Sequence, residues 1–157
     1  MINIIVACDR NRLIGRNGTL PWQIQKDWNY FLKTTKDGVL IMGRKCYEDF
    51  QDHVSSYDVI VVSRNHHHLG KVRGAMSFDE AIKLGRKSQK TIWICGGRAI
   101  YEESMAIADH LFLTRIDSEY KGDVYFPPWE KTFNRPMSSL KDHENGIDLE
   151  FLVIGKK

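Results

Sequence analysis

The sequence predicts an α/β fold, because two hydrophobic patterns alternate along the chain. The runs IIVAC, VLIMG, VIVVS and TIWIC are apolar at successive positions, which is typical of central strands covered on both faces. Amphipathic stretches with a period near 3.6 residues lie between the earlier runs. The carboxyl-terminal part carries strand patterns without intervening helices. We therefore expect one domain over residues 1–157, with a mostly parallel sheet and an antiparallel carboxyl-terminal edge.

The elements are assigned in chain order from these patterns and from their flanking turn and cap residues. Strands are predicted at Asn3 to Cys8, Val39 to Met42, Val59 to Val62, Thr91 to Cys95, Leu111 to Ile116 and Leu149 to Ile154. Helices are predicted at Gln23 to Thr35, Arg44 to Phe50, Phe78 to Arg86 and Arg98 to Ala106. In such a sheet, ligands bind beyond the carboxyl ends of the strands.

Composition narrows the class of protein. The net charge of +3 is mild and the basic residues are dispersed, so nucleic acid is not an expected partner. No apolar run is long enough to cross a membrane. Three cysteines, Cys8, Cys46 and Cys95, suit reduced thiols better than a disulfide framework, so we expect a cytoplasmic protein. No metal site is expected, because the successive side chains of His66, His67 and His68 splay apart.

Asp27 is the most informative single residue. Ile24, Trp28 and Phe31 mark the inward stripe of the first predicted helix, and Asp27 falls within it. A carboxylate facing an apolar interior needs a partner or takes up a proton near neutral pH, and ligand sites use such groups. Alternatively, Asp27 only complements the positive end of the helix dipole.

Two strands run into glycine turns that open helices, at IMGRKCYEDF (residues 41 to 50) and ICGGRAIYEE (residues 94 to 103). Backbone amides at such turns bind phosphate oxygens, and Arg44, Lys45 and Arg98 add cationic donors. Ser63 and Arg64, after a third strand, could hold a phosphate monoester. The alternatives are glycines that serve packing alone and an ordinary solvated loop.

A long loop, DRNRLIGRNGTLPW at residues 9 to 22, precedes the Asp27 helix. Loops of this length inside a compact domain are usually lids or binding loops. Trp22, at its end, could cap a planar ligand or pack in the core.

Taken in order, LIGRNGTLPW, the helical Asp27 with Phe31, IMGRKCYE, VVSR, ICGGRAIYEE, FLTRID and GDVYFP resemble the dihydrofolate reductase family from about Ile2 to Ile154. The resemblance implies an eight-stranded, mostly parallel sheet flanked by four helices, with residues 9 to 22 as a lid. It also implies NADPH-dependent reduction of dihydrofolate, a small-molecule substrate, to tetrahydrofolate. We expect a monomer.

The resemblance assigns roles residue by residue. Asp27 would bind the pterin and favour its protonation, with Trp22 and Thr114 as the other catalytic residues. The remaining substrate contacts would be Ile5, Val6, Ala7, Trp28, Phe31, Phe50, Val54, Cys95 and Tyr101. The cofactor contacts would be Ala7, Ile14, Gly15, Gly18, Leu20, Gly43, Arg44, Lys45, Cys46, Ser63, Arg64, Gly96, Gly97, Arg98, Ala99 and Tyr101, with a cis peptide bond between Gly96 and Gly97.

Three residues depart from the family pattern. Cys46 replaces a threonine that contacts the cofactor, Tyr47 replaces a common aromatic neighbour, and Tyr57 stands where an arginine grips the glutamate tail. Losing one partner of a close charge pair costs roughly 2 to 5 kcal/mol. The substitution at position 57 leaves open a reductase of a tail-less pterin or of a ribosylaminopyrimidine phosphate, although Asp27 argues against the pyrimidine. A further alternative is a non-catalytic protein that binds NADPH or a pterin.

Overall fold

Helices lie between the strands through residue 104 in the computed structural model, which describes residues 1–15, 21–65 and 72–156. The elements in chain order are β1 (Ile2–Cys8), β2 (Leu13–Gly15), α1 (Gln25–Thr35), β3 (Val39–Gly43), α2 (Arg44–Phe50), a 3₁₀ helix (Gln51–Ser56), β4 (Asp58–Val62), β5 (Arg73–Ala75), α3 (Phe78–Lys87), β6 (Ile92–Ile94), α4 (Arg98–Ser104), β7 (His110–Ile116), β8 (Val124–Tyr125), β9 (Phe133–Glu144) and β10 (Ile147–Lys156).

Eight strands form one sheet in the order β5-β4-β3-β6-β1-β7-β10-β9. Every pairing from β5 to β7 is parallel, whereas β10 runs antiparallel to both β7 and β9. The expected mostly parallel sheet with an antiparallel carboxyl-terminal edge is therefore confirmed. Within the described part of the chain, no helix combines the length and apolar character that a membrane crossing needs.

Both faces of the sheet are covered, which explains why the central strands lack a polar face. Along β3, Val39 and Ile41 join a core beneath α3 and α4, while Leu40 and Met42 join a second core beneath α1 and α2. All four residues are at most 1% exposed. Because successive side chains of a strand point to opposite faces, a strand between two helical layers must be apolar at every position.

The carboxyl-terminal hairpin is longer than the sequence pattern predicted. β9 was not predicted, because only its first residue, Phe133, is fully buried and the strand therefore shows no alternation of apolar and polar residues. Asn145 and Gly146 connect β9 to β10 with positive φ angles of 50° and 79°. An Asn-Gly pair is the preferred two-residue hairpin connection, so this turn is the signal that could have revealed β9.

Three short strands were also not predicted. β5 extends the sheet edge beyond β4, while β2 pairs with β8 in a separate two-stranded ribbon. The ribbon places secondary structure inside residues 9 to 22, which the sequence suggested was an irregular loop. Strands of two or three residues carry too few positions for a periodic pattern to emerge.

The sheet brings distant residues together at one edge. Ala7 near the end of β1 pairs with Thr114 in β7, and the Gly43 amide at the end of β3 donates a 2.8 Å hydrogen bond to the Gly96 carbonyl just after β6. This is the edge at which parallel strands present ligand sites.

Candidate active site

Asp27 is the third residue of α1 and lies at the centre of the site. Desolvation raises the pKa of its carboxyl group from 3.8 to about 6, because burial penalises the charged form. Hydrogen bonding from the Thr114 hydroxyl and the proximity of the Trp22 indole N–H partly oppose that rise, while the negative charge of Glu144 adds to it. The side chain therefore exchanges a proton close to neutral pH.

Trp22 has two different roles in this arrangement. Its ring is buried in a cluster with residues that include Ile116 and Phe151, and it contacts the Tyr120 ring at 5.4 Å. Its indole nitrogen is a buried donor that forms no hydrogen bond of normal geometry with any described residue. The N–H nevertheless lies close enough to help stabilise ionised Asp27. The ring thus packs as core, and the donor remains available at the site.

Tyr101, in α4, connects two neighbouring strands of the sheet. Its hydroxyl hydrogen-bonds to the Ile5 carbonyl at 2.9 Å and to the Cys95 carbonyl at 3.0 Å, so one side chain ties the end of β6 to β1. A Cβ atom added to Gly96 would meet the Tyr101 ring at 3.0 Å. Gly96, with φ of 110°, is therefore the residue that this close approach requires.

The two glycine turns lie side by side. The Gly43 amide binds the Gly96 carbonyl, and the peptide bond between Gly96 and Gly97 is cis, as the resemblance implied. A Cβ atom built on Gly97 meets no described atom within 4 Å, so the backbone borders open space there. A flat or anionic group could approach this backbone without obstruction.

The polar residues predicted to bind the nucleotide differ in whether their side chains already have partners in the protein. The Arg98 guanidinium is engaged by Glu102 and by the Tyr125 carbonyl, and Arg44 lies 3.6 Å from Glu48. The Ser63 hydroxyl donates to the Asn65 carbonyl at 2.9 Å. Lys45 and Arg64 are exposed side chains at the same edge.

Aromatic rings surround the far end of the site. Trp28 stacks on Phe31 with centroids 5.4 Å apart, Phe50 contacts both rings edge-on, and His53 lies 5.4 Å from Trp28. Tyr57 completes the group at 5.2 Å from Phe50. Trp28 and Phe31 are only half-buried, so the α1 face that carries them faces the site as well as the core.

The remaining predicted site residues are distributed as follows. Val6 is buried and Ala7 half-buried in β1, Ile14 and Gly15 lie in β2, Val54 is half-buried on the 3₁₀ helix, and Ala99 is exposed on α4. The Cys46 thiol is 3.6 Å from the Cys95 carbonyl. Gly18, Leu20 and the three histidines His66, His67 and His68 lie outside the described residues. The ligand contacts assigned to all these residues stay predictions.

Three residues around the site were not identified from the sequence. Glu144 contacts the start of α1, buried Asp9 binds backbone amides of the loop after β1, and His53 joins the aromatic group. The two α1 amides that Glu144 binds are 118 and 119 positions away in the chain, so no local pattern could have paired them.

Known proteins match both the sequence and the fold. The family model described as "Dihydrofolate reductase" matches residues 1–156. A dihydrofolate reductase of Bacillus subtilis (strain 168) is 32% identical over 161 residues, covering 100% of this chain and 95% of the relative. A type 3 dihydrofolate reductase of Salmonella typhimurium is 33% identical and covers 100% and 99% respectively.

Among solved structures, the dihydrofolate reductase from Enterococcus faecalis complexed with NADP(H) and RAB-propyl superimposes with a TM-score of 0.89. It is 23% identical in sequence, and the match covers 100% of this chain and 96% of that chain. The fold agreement and the sequence match over the whole chain lead to one conclusion. The chain belongs to the dihydrofolate reductase family.

Proposed function

We propose that the protein reduces 7,8-dihydrofolate to 5,6,7,8-tetrahydrofolate with NADPH, and that it binds the glutamate tail in an atypical way. The observation that carries this proposal is the desolvated Asp27 carboxyl group, whose pKa is raised to about 6 between Trp22 and Thr114. The relatives' names and the match of the family model to residues 1–156 support the same activity.

The reaction adds a hydride to a carbon and a proton to the neighbouring nitrogen of one C=N bond, which becomes a C–N single bond. NADPH, when bound, supplies the hydride and becomes NADP⁺. Asp27 binds the amidine-like edge of the pterin ring and favours protonation of the ring nitrogen, because its own proton equilibrium lies near neutral pH. Thr114 orients the Asp27 carboxylate through its hydroxyl.

Apolar residues exclude water from the reacting atoms. Ile5 is 4% exposed, and Phe50 is 2% exposed. Tyr101 holds the Ile5 and Cys95 carbonyls in fixed positions through its hydroxyl. A dry and rigid slot favours hydride transfer, since the donor and the acceptor must meet face to face without competing water.

The residues at the glycine turns fit a dinucleotide phosphate. The open backbone at Gly97 would accept the diphosphate and nicotinamide end, with Gly96 and Ala99 beside it. Lys45 and Arg64, both exposed, would bind the phosphate of the adenosine end, together with Ser63. Arg44 and Arg98 would join them after exchanging their present partners, Glu48 and Glu102.

The glutamate tail meets no arginine at position 57. The Tyr57 side chain has no positive charge to offer a carboxylate, and its hydroxyl already donates to the Leu32 carbonyl at 2.8 Å. Lys33 in the last turn of α1 and Lys36 directly after it are exposed, and neither has an ion-pair partner among the described residues. An exposed lysine contributes about 0 to 1 kcal/mol to such a pair, less than a buried arginine. The aromatic group therefore supplies most of the binding beyond the pterin.

Reduction of a tail-less dihydropterin is the second candidate, favoured by the same Tyr57 contact with Leu32. A site that gains little from the tail would discriminate weakly between substrates with and without it. Both candidates use the same Asp27 chemistry, and they differ only in what occupies the aromatic end of the site.

The test is to follow NADPH oxidation by absorbance while dihydrofolate and a tail-less dihydropterin are titrated side by side. We expect turnover with dihydrofolate and a kcat/KM preference for it smaller than tenfold. A large preference would mean that another group replaces the arginine. Absence of turnover with both substrates would refute the proposed reaction.

A further inference from the structure

The helix that carries Asp27 has no cap of its own. The residue before its first turn is Ile24, whose side chain cannot accept a hydrogen bond. The first backbone N–H groups of a helix have no partner within the helix and need one from elsewhere. Ser77, by contrast, caps α3 locally by accepting from the Glu80 amide.

Glu144, at the end of β9, supplies the missing partner from a distant part of the chain. One of its carboxylate oxygens accepts from the Gln25 amide at 2.7 Å, and the other accepts from the Lys26 amide at 2.9 Å. These amides belong to the first two residues of α1, and Asp27 is the third. Both oxygens of one carboxylate therefore hold the backbone directly before the catalytic side chain.

We propose that Glu144 is a positioning residue for the reaction: its two hydrogen bonds to the first turn of α1 fix where the Asp27 carboxylate stands against Thr114. This inference rests on the proposed function, because it assigns Glu144 a part in that same chemistry. Glu144 itself contacts neither substrate nor cofactor in this scheme. It acts through the helix backbone.

The position of α1 in the chain explains why these two hydrogen bonds from Glu144 matter for catalysis. Residues 21–24, directly before α1, belong to no strand, so this end of the helix is not continuous with the sheet. Ionised carboxylates bind backbone amides strongly and also complement the helix dipole. A displacement near 1 Å at a catalytic group can lower a rate about 100-fold, so a fixed first turn has direct catalytic value.

Glu144 also acts on Asp27 electrostatically, because its negative charge raises the pKa of the Asp27 carboxyl group. The other groups that influence this carboxyl group are Thr114 from β7 and Trp22 from the preceding loop, both of which lower the pKa. Tyr30 and Tyr101 also lie near enough to respond to the Asp27 charge. Lys26 is adjacent in sequence but pairs with Asp142 at 2.7 Å.

The experiment compares Glu144→Gln and Glu144→Ala with Asp142→Asn as the matched control. Asp142 lies on the same strand, carries the same charge and contacts the same turn of α1, but only through the Lys26 side chain. We measure the pH dependence of hydride transfer in single turnovers, the KM for NADPH and the thermal midpoint. Glu144→Gln keeps one acceptor oxygen and the shape of the side chain, so it tests the role in a folded protein.

The expected result is a loss of kcat/KM for dihydrofolate of about tenfold in Glu144→Ala and a smaller loss in Glu144→Gln, with an unchanged KM for NADPH. In Glu144→Ala the pH inflection of hydride transfer moves to higher pH, because Asp27 loses the Thr114 hydrogen bond, which lowers its pKa more than the Glu144 charge raises it. Asp142→Asn leaves kcat/KM for dihydrofolate and the pH inflection unchanged.

Two results would overturn the inference. One is a lowered thermal midpoint with unchanged kinetics and pH profile, which would mean that Glu144 serves stability alone. The other is an equal effect of Asp142→Asn, which would mean that surface charge in general is responsible.

A titration of the Asp27 carboxyl carbon by ¹³C NMR in the ligand-free protein separates this inference from the proposed function. Asp27→Asn identifies the resonance by its disappearance. A higher Asp27 pKa in Glu144→Ala but not in Asp142→Asn supports the inference even if the protein does not turn over dihydrofolate, whereas a lower pKa is the effect of the lost charge alone and refutes it. Identical titrations in the unmodified protein, Glu144→Ala and Asp142→Asn refute it even if turnover is fast.

Discussion

The Tyr57 hydroxyl donates a hydrogen bond of 2.8 Å to the Leu32 carbonyl, which lies in the last turn of α1. Carbonyls in the last turn of a helix lack partners within the helix. Tyr57 therefore holds the carboxyl end of the helix, as Glu144 holds its amino end through the Gln25 and Lys26 amides. Both ends of the helix that carries Asp27 are fixed by residues from elsewhere in the chain.

This contact defines the first prediction. Tyr57→Arg places a guanidinium at the rim of the site, so we expect the Kd for dihydrofolate to fall by about tenfold or more while the Kd for a tail-less dihydropterin hardly changes. Binding is measured by fluorescence titration of both ligands. Tyr57→Phe is the control, because it removes the Leu32 hydrogen bond without adding charge. Equal effects of Tyr57→Arg on both ligands would show that position 57 does not face the tail.

Asp27→Asn tests the proton chemistry. We expect hydride transfer at pH 7 to fall by about 100-fold, with a smaller loss at low pH, where the substrate can arrive protonated. In the unmodified protein, the rate should decline as the pH rises through about 6, the pKa of the Asp27 carboxyl group. The variant should lack this inflection. An unchanged rate across the pH range would remove Asp27 from the mechanism.

The same substitution should stabilise the fold. The Asp27 pKa is about 6 in the folded protein and near 3.8 when unfolded, so the folded state binds the extra proton between these values. The unfolding free energy of the unmodified protein therefore decreases as the pH rises from about 4 to 6. We expect Asp27→Asn to be more stable by about 2 kcal/mol at pH 8, somewhat below full conversion of the shift because the residue is partly exposed.

Urea unfolding at pH 4 and pH 8 measures this difference. The advantage of Asp27→Asn should be close to zero at pH 4 and fully developed at pH 8. An advantage that is equal at both pH values would trace to a cause other than desolvation of the charged carboxylate.

Thr114→Val tests the hydrogen bond to the carboxylate. Thr114 is 2% exposed in β7, and its hydroxyl lowers the pKa of Asp27 by stabilising the charged form. Without the hydroxyl, the pH inflection of hydride transfer should move above 6. Thr114→Ser keeps the hydroxyl and should leave the inflection in place. A shift of similar size in both variants would point to altered packing and not to the hydrogen bond.

Local patterns predicted much of this protein. The central strands are apolar at every position, as Val39 to Met42 illustrate, because helices cover both faces of the sheet. Asp27 stood out for a similar reason, since a polar residue within a helical apolar stripe is visible in a short window. The resemblance to a known family then supplied the number of strands in the sheet.

The features that the sequence did not predict depend on contacts between residues that are far apart in the chain. β9 is exposed along nearly its whole length, so no hydrophobic alternation marks it. The bonds from Glu144 to the first turn of α1 join residues more than a hundred positions apart, and they exist only because β9 and β10 extend toward that helix. The groups that lower the pKa of Asp27 are likewise Trp22 and Thr114 of β7, so their effect could not be predicted from the helix alone.

Asp9 illustrates a buried carboxylate that serves structure. It is 3% exposed, and its side chain accepts from the backbone amides of Asn11 at 2.8 Å, Leu13 at 2.9 Å and Tyr120 at 2.9 Å. These bonds fasten the loop that follows β1 to the segment that precedes β8. Asp9→Ala leaves three amides without this acceptor, so we expect a loss of about 3 kcal/mol in the free energy of unfolding.

Urea unfolding with an unchanged m-value measures that loss. Asp9→Asn keeps one acceptor oxygen and should lose less than Asp9→Ala. Asp117→Asn is the matched control, since Asp117 is an exposed carboxylate paired with Arg10 at 2.7 Å in the same region, and it should change the stability by less than about 0.5 kcal/mol. If Asp9→Ala were as mild as this control, water would be satisfying the three amides and the loop would not depend on Asp9.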